Sequence, residues 1–294
     1  MTTYKGIDVS HHNGTINWSK VKAAGIKFAI VRAGYGSNTA DNRFDANAKG
    51  AIAAGIPIGV YWFSYALSNS DAKAEAKKCL EVIKGYKIDL PVFYDFEYDT
   101  VSYAKKHGVT LGKKQFNSFA TAFLSEIEKA GYKGGIYYNV DYKLNYVDKS
   151  VCGKYVQWLA RYASKPGYNC DIWQYSESGT VSGISGKDVD MNILYNADLL
   201  PTRKPTYTVG KVYTTKAKLY IRSSAAKGNN VKKKSSVTAD AKKNCCLGIK
   251  ARLKMGTRVT CKEVKIGSDG SVFAKIPSGW ILAWNARTKR TNLG

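Results

Sequence analysis

The 294-residue sequence lacks the long apolar segments that mark membrane and exported proteins. No run of apolar residues is long enough to cross a bilayer, and the first residues, MTTYKGIDVSHHNG, contain no apolar core of signal-peptide length. We therefore expect no membrane insertion and no export by the usual signal.

Cysteine and histidine are few and are poorly spaced for metal binding. The 6 cysteines include no C-x-x-C pair, and the 3 histidines complete no zinc-like spacing with them. We predict neither a metal nor a cofactor. The even number of cysteines permits disulfides, but free thiols in a reducing cytosol are the favoured interpretation.

Acidic residues are scarce in the last third of the chain. Residues 201–294 carry 22 Lys and Arg against 3 Asp and Glu, a net charge of +19, whereas residues 1–200 carry 24 against 19, a net charge of +5. Such a basic segment should bind a polyanion, which leaves nucleic acid, an anionic membrane and an anionic cell-wall polymer as candidates.

Strand-like and helix-like segments alternate over the first 200 residues. We predict strands over 4–10, 27–36, 57–66, 90–97, 133–140, 155–163 and 170–175, with a last strand near Asp190, and helices over 44–55, 70–84 and 114–130. The alternation indicates a parallel α/β sheet, and the number of strands indicates a closed barrel whose last strands lack helices.

The pattern changes after residue 200. The segment LLPTRKPTYTVGK, residues 199–211, has two prolines and several basic residues, and beyond it short strand-like segments are joined by glycine-containing turns. We predict a first domain over residues 1–200, a linker over 201–210, and a small all-β barrel over 211–294.

Two acids interrupt the apolar strand LPVFYDFEY, residues 90–98. Residues i and i+2 of a strand face the same side, about 6.5–7 Å apart, so we expect Asp95 and Glu97 to point together at the strand's C-terminal end. Asp8 and Asp190 are expected at the same end of other strands. Paired carboxyls of this kind can cleave a glycosidic bond, one as proton donor and the other ionised. The alternative is that the pair merely bridges Lys or Arg.

Aromatic and polar residues occur in the strands around these acids. The candidates for substrate contact are Arg32, Tyr61, Phe63, Tyr137, Trp158 and Gln174. Sugar rings stack on aromatic faces, but a barrel core also needs bulky groups. Arg32 and Gln174 equally suit a role in orienting the carboxyls.

The motifs KGIDVSHHNG, PIGVYWFSYA, PVFYDFE, GGIYYN, QWLARYA and DIWQYSESGTVSGISGKDVDMN, in this order over about residues 4–200, resemble glycoside hydrolase family 25. These are the lysozymes, or N-acetylmuramidases, of phage endolysins and bacterial autolysins. The resemblance implies an irregular TIM-like (β/α)5(β)3 barrel. It implies metal-free cleavage of the β-1,4 bond between N-acetylmuramic acid and N-acetylglucosamine in peptidoglycan.

The resemblance also implies roles for individual residues. Glu97 matches the general acid, and Asp95 matches its partner carboxylate. Asp8 and Asp190 match supporting acids. The missing signal peptide, read with the family, implies a protein made in the cytoplasm of a phage-infected bacterium that acts on the wall after release.

The tail is similar to a bacterial SH3-like cell-wall-binding domain in KLYIRSSAA, MGTRVTCKEV and VFAKIPSGWILAWN. Trp280 and Trp284 are its candidate ligand-groove residues, with a position in the core as the alternative. With this resemblance we expect an anionic wall polymer as the tail's partner, and no nucleic acid.

The leading hypothesis is therefore a muramidase that lyses a Gram-positive wall, to which its basic tail directs it. The first alternative is a glycosidase of other specificity, cutting chitin or making an N-acetylglucosaminidase cut. The second is a non-catalytic wall-binding protein, against which the four intact acids argue.

Overall fold

The computed structural model describes residues 3–185, 188–201 and 204–294. The chain forms two compact units, one over residues 1–201 and the other over residues 202–294. The division falls at the basic, proline-containing segment of the sequence. The assignment of residues 201–210 as a linker stays a prediction.

Over its described residues the first unit contains nine strands, eight of which form a closed, barrel-like sheet. In chain order the strands are β1 (Tyr4–Val9), β2 (Phe28–Tyr35), β3 (Thr39–Ala40), β4 (Ile58–Phe63), β5 (Val92–Asp95), β6 (Gly134–Asn139), β7 (Val156–Ala160), β8 (Ile172–Gly179) and β9 (Val189–Leu194). Their order is β1-β9-β8-β7-β6-β5-β4-β2, and pairing of β1 with β2 closes the sheet. The expected closed sheet is thus confirmed, while its finer TIM-like description stays a prediction.

The strand directions depart from the sequence-based expectation in one place. Successive neighbours from β1 through β2 and β4 to β8 are parallel, whereas β9 is antiparallel to both β8 and β1. The expectation of a wholly parallel sheet is therefore wrong for β9. Nine residues separate β8 from β9, fewer than a parallel crossover requires.

Helices connect most of these strands. In the described part of the first unit they are α1 (Trp18–Ala23), α2 (Phe44–Ala53), α3 (Asn69–Ile83), α4 (Tyr98–Lys106), α5 (Lys113–Lys129), α6 (Val140–Asn145) and α7 (Lys149–Lys154). The predicted helices α2, α3 and α5 are present within one or two residues of their expected ends. Helix α4 was not predicted, because it buries only Thr100 and Ala104 and so has no apolar stripe.

Bulky side chains fill the inside of the closed sheet. Phe28, Phe93 and Trp158 belong to one buried cluster, and two glycines make room for two of them. A Cβ atom on Gly6 would lie 2.3 Å from the ring of Phe28, and one on Gly135 would lie 2.4 Å from that of Phe93. The interior is therefore packed, and polar chemistry is confined to the end of the barrel.

The second unit consists mainly of short antiparallel strands. In the described residues these are β10 (Val212–Thr214), β11 (Leu219–Tyr220), β12 (Arg252–Leu253), β13 (Arg258–Thr260), β14 (Glu263–Ile266), β15 (Val272–Ile276), β16 (Gly279–Asn285) and β17 (Arg290–Thr291), with one α-helix, α8 (Ala239–Asn244). Strand β10 pairs with β13, β11 pairs with β12, and β14 to β17 form a four-stranded sheet. The predicted β character is present, and the SH3-like assignment stays a prediction.

The six cysteines, all within the described residues, are unpaired. No helix in the described part of the chain is long and apolar enough to cross a bilayer.

Candidate active site

Four acidic side chains line one cleft at the end of the barrel where the parallel strands terminate. Asp8 lies near the end of β1, Asp95 is the last residue of β5, Glu97 follows it by two residues, and Asp190 is the second residue of β9. The cleft has a volume of about 290 Å³ and is lined by all four. The acids predicted from the sequence are therefore brought together, although two of them arrive differently from the prediction.

Asp190 reaches the cleft because β9 runs backwards. The expectation that Asp190 lies where a final strand ends is wrong, since it lies at the beginning of β9. The antiparallel pairing sets Asp190 directly opposite Asp8. The start of an antiparallel strand meets the ends of its neighbours, so the two acids share one edge of the sheet.

Asp95 and Glu97 both reach the cleft, but not because they alternate along one strand. Strand β5 ends at Asp95, and Glu97 has become the residue that precedes helix α4. The backbone N–H of Glu97 donates to Thr100 Oγ1 at 3.1 Å. The expectation that both acids stand on one strand face is thus wrong. The turn from strand to helix holds Glu97 at the cleft.

Asp8 is held by a buried chain of hydrogen bonds. Its Oδ2 accepts from Gln174 Nε2 at 3.0 Å and from Asn192 Nδ2 at 2.6 Å. Tyr137 donates to Gln174 Oε1 at 2.9 Å, and Trp158 Nε1 donates to Asn192 Oδ1 at 2.8 Å. The side chains from β6, β7, β8 and β9 therefore fix the orientation of the Asp8 carboxyl.

Burial raises the pKa values of the acids that face each other across the cleft. Burial, and then the charges of Glu97 and Asp8, raise the pKa of Asp95 well above its usual range, while Arg32 opposes the rise. Burial, and then the charge of Asp8, raises the pKa of Glu97 to about 7. One oxygen of Asp95 is buried and has no hydrogen-bond partner. This pair retains protons that exposed carboxyls lose near pH 4.

The other two acids behave similarly. Burial raises the pKa of Asp8, although hydrogen bonds from Asn192 and Gln174 favour its ionised form. Burial, followed by the charge of Asp8, raises the pKa of Asp190 to about 9. The cluster as a whole therefore holds protons at neutral pH, which a general acid requires.

Arg32 is fixed by an acid that the sequence analysis missed. Arg32 Nε donates to Asp41 Oδ2 at 2.8 Å, and the backbone N–H of His11 donates to the same oxygen at 3.1 Å. The Arg32 guanidinium also contacts the His11 ring. Burial of Asp41 is outweighed by the hydrogen bonds from Arg32 and the backbone, so its pKa is lowered. Asp41 thus remains ionised and holds the cation at the cleft.

The predicted substrate-contact residues all line the cleft, namely Arg32, Tyr61, Phe63, Tyr137, Trp158 and Gln174. They are unequally accessible. Trp158 and Tyr137 are 2% and 8% exposed, and their rings pack 4.7 Å apart between centroids. Tyr61 and Phe63 are partly exposed. Tyr61 and Phe63 therefore offer the more open aromatic surface, and the contact role of all six stays a prediction.

Further residues line the cleft that were not singled out from the sequence. They are Ser10, His12, Asn13, Tyr162, Glu177 and Asp188. The motifs DVSHHN and KDVDMN contain four of them, so proximity to Asp8 and Asp190 in sequence was the available indication. Nothing local marks Tyr162 or Glu177, which the ends of β7 and β8 bring in.

The two tryptophans proposed for wall binding are buried. Trp280 is 6% exposed and Trp284 is 2% exposed, so neither presents an open face. The ammonium groups of Lys265 and Lys275 lie 5.4 and 5.6 Å from the Trp280 ring centroid. The burial agrees with the core alternative, and a ligand-groove role stays a prediction. Among the described residues, no cluster of His, Cys, Asp and Glu is arranged to hold a metal ion.

The sequence model described as Glycosyl hydrolases family 25 matches residues 7–184. The matched interval contains Asp8, Asp95 and Glu97, and Asp190 lies six residues beyond it.

Lysozyme M1 from Streptomyces globisporus is 34% identical to this chain over 200 residues, which cover 64% of this chain and 66% of that protein. Autolytic lysozyme from Clostridium acetobutylicum is 31% identical over 193 residues, which cover 63% of this chain and 55% of that protein. The chain thus spans less than two thirds of the length of either relative.

A solved structure is similar as well. The modular autolysin LytC from Streptococcus pneumoniae, in complex with a synthetic peptidoglycan ligand, superposes with a TM-score of 0.59 at 29% identity. The superposition covers 66% of this chain and 47% of that one.

Proposed function

Because this chain belongs to glycosyl hydrolases family 25, we propose that it is a lysozyme that cleaves the β-1,4 bond between N-acetylmuramic acid and N-acetylglucosamine in peptidoglycan. The observation that carries the proposal is the pairing of Asp95 and Glu97, with raised pKa values, in a cleft that also receives Asp8 and Asp190. Two carboxyls in one cleft are the arrangement that most glycoside hydrolases use to cleave a glycosidic bond.

Glu97 is the proton donor in this proposal. Its side chain is partly exposed and reaches the cleft, whereas Asp95 is 3% exposed. With a pKa of about 7, Glu97 is largely protonated below neutral pH and can donate to the leaving oxygen. Activity should decline as the pH rises through this value, because the donor loses its proton.

Asp95 is the partner carboxyl that acts near the anomeric carbon. Burial and the charges of Glu97 and Asp8 raise its pKa well above the usual range, the Arg32 cation opposes this rise, and a proton held by Glu97 removes one of the charges that cause it. Asp8 and Asp190 support the pair electrostatically, and Asp41 acts on the site through Arg32.

The proposal also covers the binding partner of the basic tail and the place where the protein is made and acts. The net charge of +19 over residues 201–294 suits an anionic polymer of a Gram-positive wall as binding partner. From the family resemblance we further propose synthesis in a phage-infected bacterial cytoplasm, release, and lysis of the host wall.

The test is to digest purified peptidoglycan, reduce the products, and identify the new reducing-end sugar by mass spectrometry. A muramitol end is expected. A glucosaminitol end would replace the proposal with the N-acetylglucosaminidase alternative. Absence of any new end would favour a wall-binding protein without activity.

A Glu97→Gln variant is the matched control for this digestion. The substitution keeps the size of the side chain and removes the transferable proton. We expect its rate to fall by about 10²–10⁴-fold, with unchanged retention on purified walls. A fully active variant would contradict the assignment of Glu97.

A further inference from the structure

Two apolar side chains project from the second unit at a hairpin tip between α8 and β12. Leu247 is 98% exposed and Ile249 is 79% exposed. Gly248 between them has a φ angle of 112°, which favours glycine and allows the chain to turn sharply. Single exposed aliphatic residues are common, but two bare ones at one tip have no role in the packing of this unit.

The hairpin tip, residues 246–250, is fixed to the unit's core. Cys245 and Leu253, which flank it, are buried in that core and pair with each other in antiparallel fashion. The Cys246 N–H donates to the Arg252 carbonyl at 2.7 Å, and the Lys234 N–H donates to the Ile249 carbonyl at 2.7 Å. The exposure of the two apolar side chains is therefore built into the fold.

The surroundings of the tip are cationic. Lys250 is exposed, and its backbone forms an antiparallel bridge with that of the exposed Lys233. Lys242 and Lys243 lie in the last turn of the preceding helix α8. From residue 241 to 262 the sequence has 7 Lys and Arg and no Asp or Glu. The acids that flank this interval are Asp240 and Glu263. The tip thus combines bare apolar groups with a local excess of cations.

The combination of exposed apolar side chains and lysines indicates which kind of partner binds the hairpin tip. A hydrated polyanion satisfies the lysines but leaves Leu247 and Ile249 in water. A second copy of the unit would bring another +19 charge against the same surface. An anionic bilayer satisfies both features, because its headgroups attract lysines and its acyl boundary takes up short apolar side chains.

We propose that the hairpin tip docks this protein on the surface of a bilayer that contains anionic lipid. Leu247 and Ile249 enter the boundary between headgroups and acyl chains, and the surrounding lysines contact the lipid phosphates. The docking involves side chains at one tip and needs no spanning segment. It would keep the protein beside the membrane, next to the innermost wall layers.

The test is sedimentation of the full chain with vesicles made of equal parts phosphatidylglycerol and phosphatidylcholine, and with vesicles of phosphatidylcholine alone. We expect binding to the anionic vesicles that weakens with salt. The double variant Leu247→Ser/Ile249→Ser should bind them about tenfold more weakly. The matched control, Ile266→Ser, removes a side chain that is 64% exposed on β14, outside the hairpin, and should bind as the unaltered chain does.

Equal binding by the double variant and the unaltered chain would overturn the proposal. So would an equal loss by the double variant of its affinity for a soluble glycerol-phosphate polymer, because the two apolar side chains would then not act on a bilayer specifically. The melting temperature of each variant shows that it is folded. Since vesicle binding is measured without peptidoglycan, failure here leaves the proposed hydrolysis intact.

Discussion

The acidic side chains in the cleft destabilise the folded state when they are ionised, because they lie close to one another. Six acids line the cleft, namely Asp8, Asp95, Glu97, Glu177, Asp188 and Asp190. Arg32 is the cation among the lining residues in the described part of the chain, and Asp41 already partners it. The acids therefore repel each other when ionised, and stability should depend on pH.

Asp190→Asn should stabilise the first unit at alkaline pH. The pKa of Asp190 is raised to about 9, so the folded state keeps a proton that the unfolded state loses near pH 4. Where the folded state binds more protons, stability falls as the pH rises, here between about 4 and 9. The variant escapes this loss. Calorimetry at pH 8 should show a higher melting temperature, by about 2–4 °C for each kcal/mol that the unaltered chain loses by burying Asp190 beside Asp8.

At about pH 2.5 the same variant should melt at the temperature of the unaltered chain, because Asp190 is then protonated in both states. Asp198→Asn, at an exposed acid outside the cleft, is the control and should show no such pH-dependent gain. A melting temperature lowered at pH 8 would contradict the raised pKa of Asp190.

Among the helices and strands, α4 has the most direct effect on the proposed proton donor, because its first turn positions Glu97. Thr100 Oγ1 donates to the Ser64 carbonyl at 2.7 Å and accepts from the Glu97 N–H at 3.1 Å. Thr100 is fully buried. One hydroxyl thus ties the first turn of the helix to the segment after β4 and positions the backbone of Glu97.

Thr100→Val should destabilise the first unit and reduce its activity. The substitution preserves side-chain shape but leaves the Ser64 carbonyl and the Glu97 N–H without this partner. We expect a loss of about 1–2 kcal/mol in the free energy of unfolding, measured by urea denaturation. The rate on peptidoglycan should fall further than the stability loss alone explains, since the Glu97 backbone is released.

Thr121→Val on the exposed face of α5 is the control for this change. This change also replaces a threonine in a helix, but the hydroxyl that it removes is exposed. The free energy of unfolding and the rate on peptidoglycan should both stay nearly unchanged. If Thr100→Val keeps full stability and rate, the position of Glu97 does not depend on this cap.

At the scale of the whole molecule, charge divides the chain into two parts. The first 200 residues are close to balanced, whereas the last 94 carry almost the entire excess of cations. Long-range attraction to a polyanion therefore acts mainly through the second unit.

Retention on walls should depend on their anionic polymer. In a pull-down at low salt, intact Gram-positive walls should retain the full chain, and walls stripped of teichoic acid should retain much less. Retention on intact walls should decline as salt rises, because screening shortens the range of the attraction to about 10 Å at 0.1 M salt.

Glu97→Gln, which keeps the charge of the second unit, should follow the same pattern and serves as the non-hydrolysing control. Equal retention on stripped and intact walls would reject the anionic polymer as the partner and point to peptidoglycan itself.

The sequence by itself determined the closed sheet, the helices with apolar stripes, the charge division and the four acids. These features depend on local periodicity, composition and motif, which the chain carries without folding. The tertiary structure alone decided how the acids meet. Asp190 faces Asp8 because β9 is antiparallel, and Glu97 faces the cleft because the chain leaves β5 for a helix.

The supporting residues were also decided by the tertiary structure. Asn192 contacts Asp8 across 184 positions of sequence. Asp41 acts on the cleft by holding Arg32. Neither has a local pattern that distinguishes it from a turn or surface residue. Hydrogen bonds between distant segments exist only after the sheet has closed, and this is why their partners could not be read from the sequence.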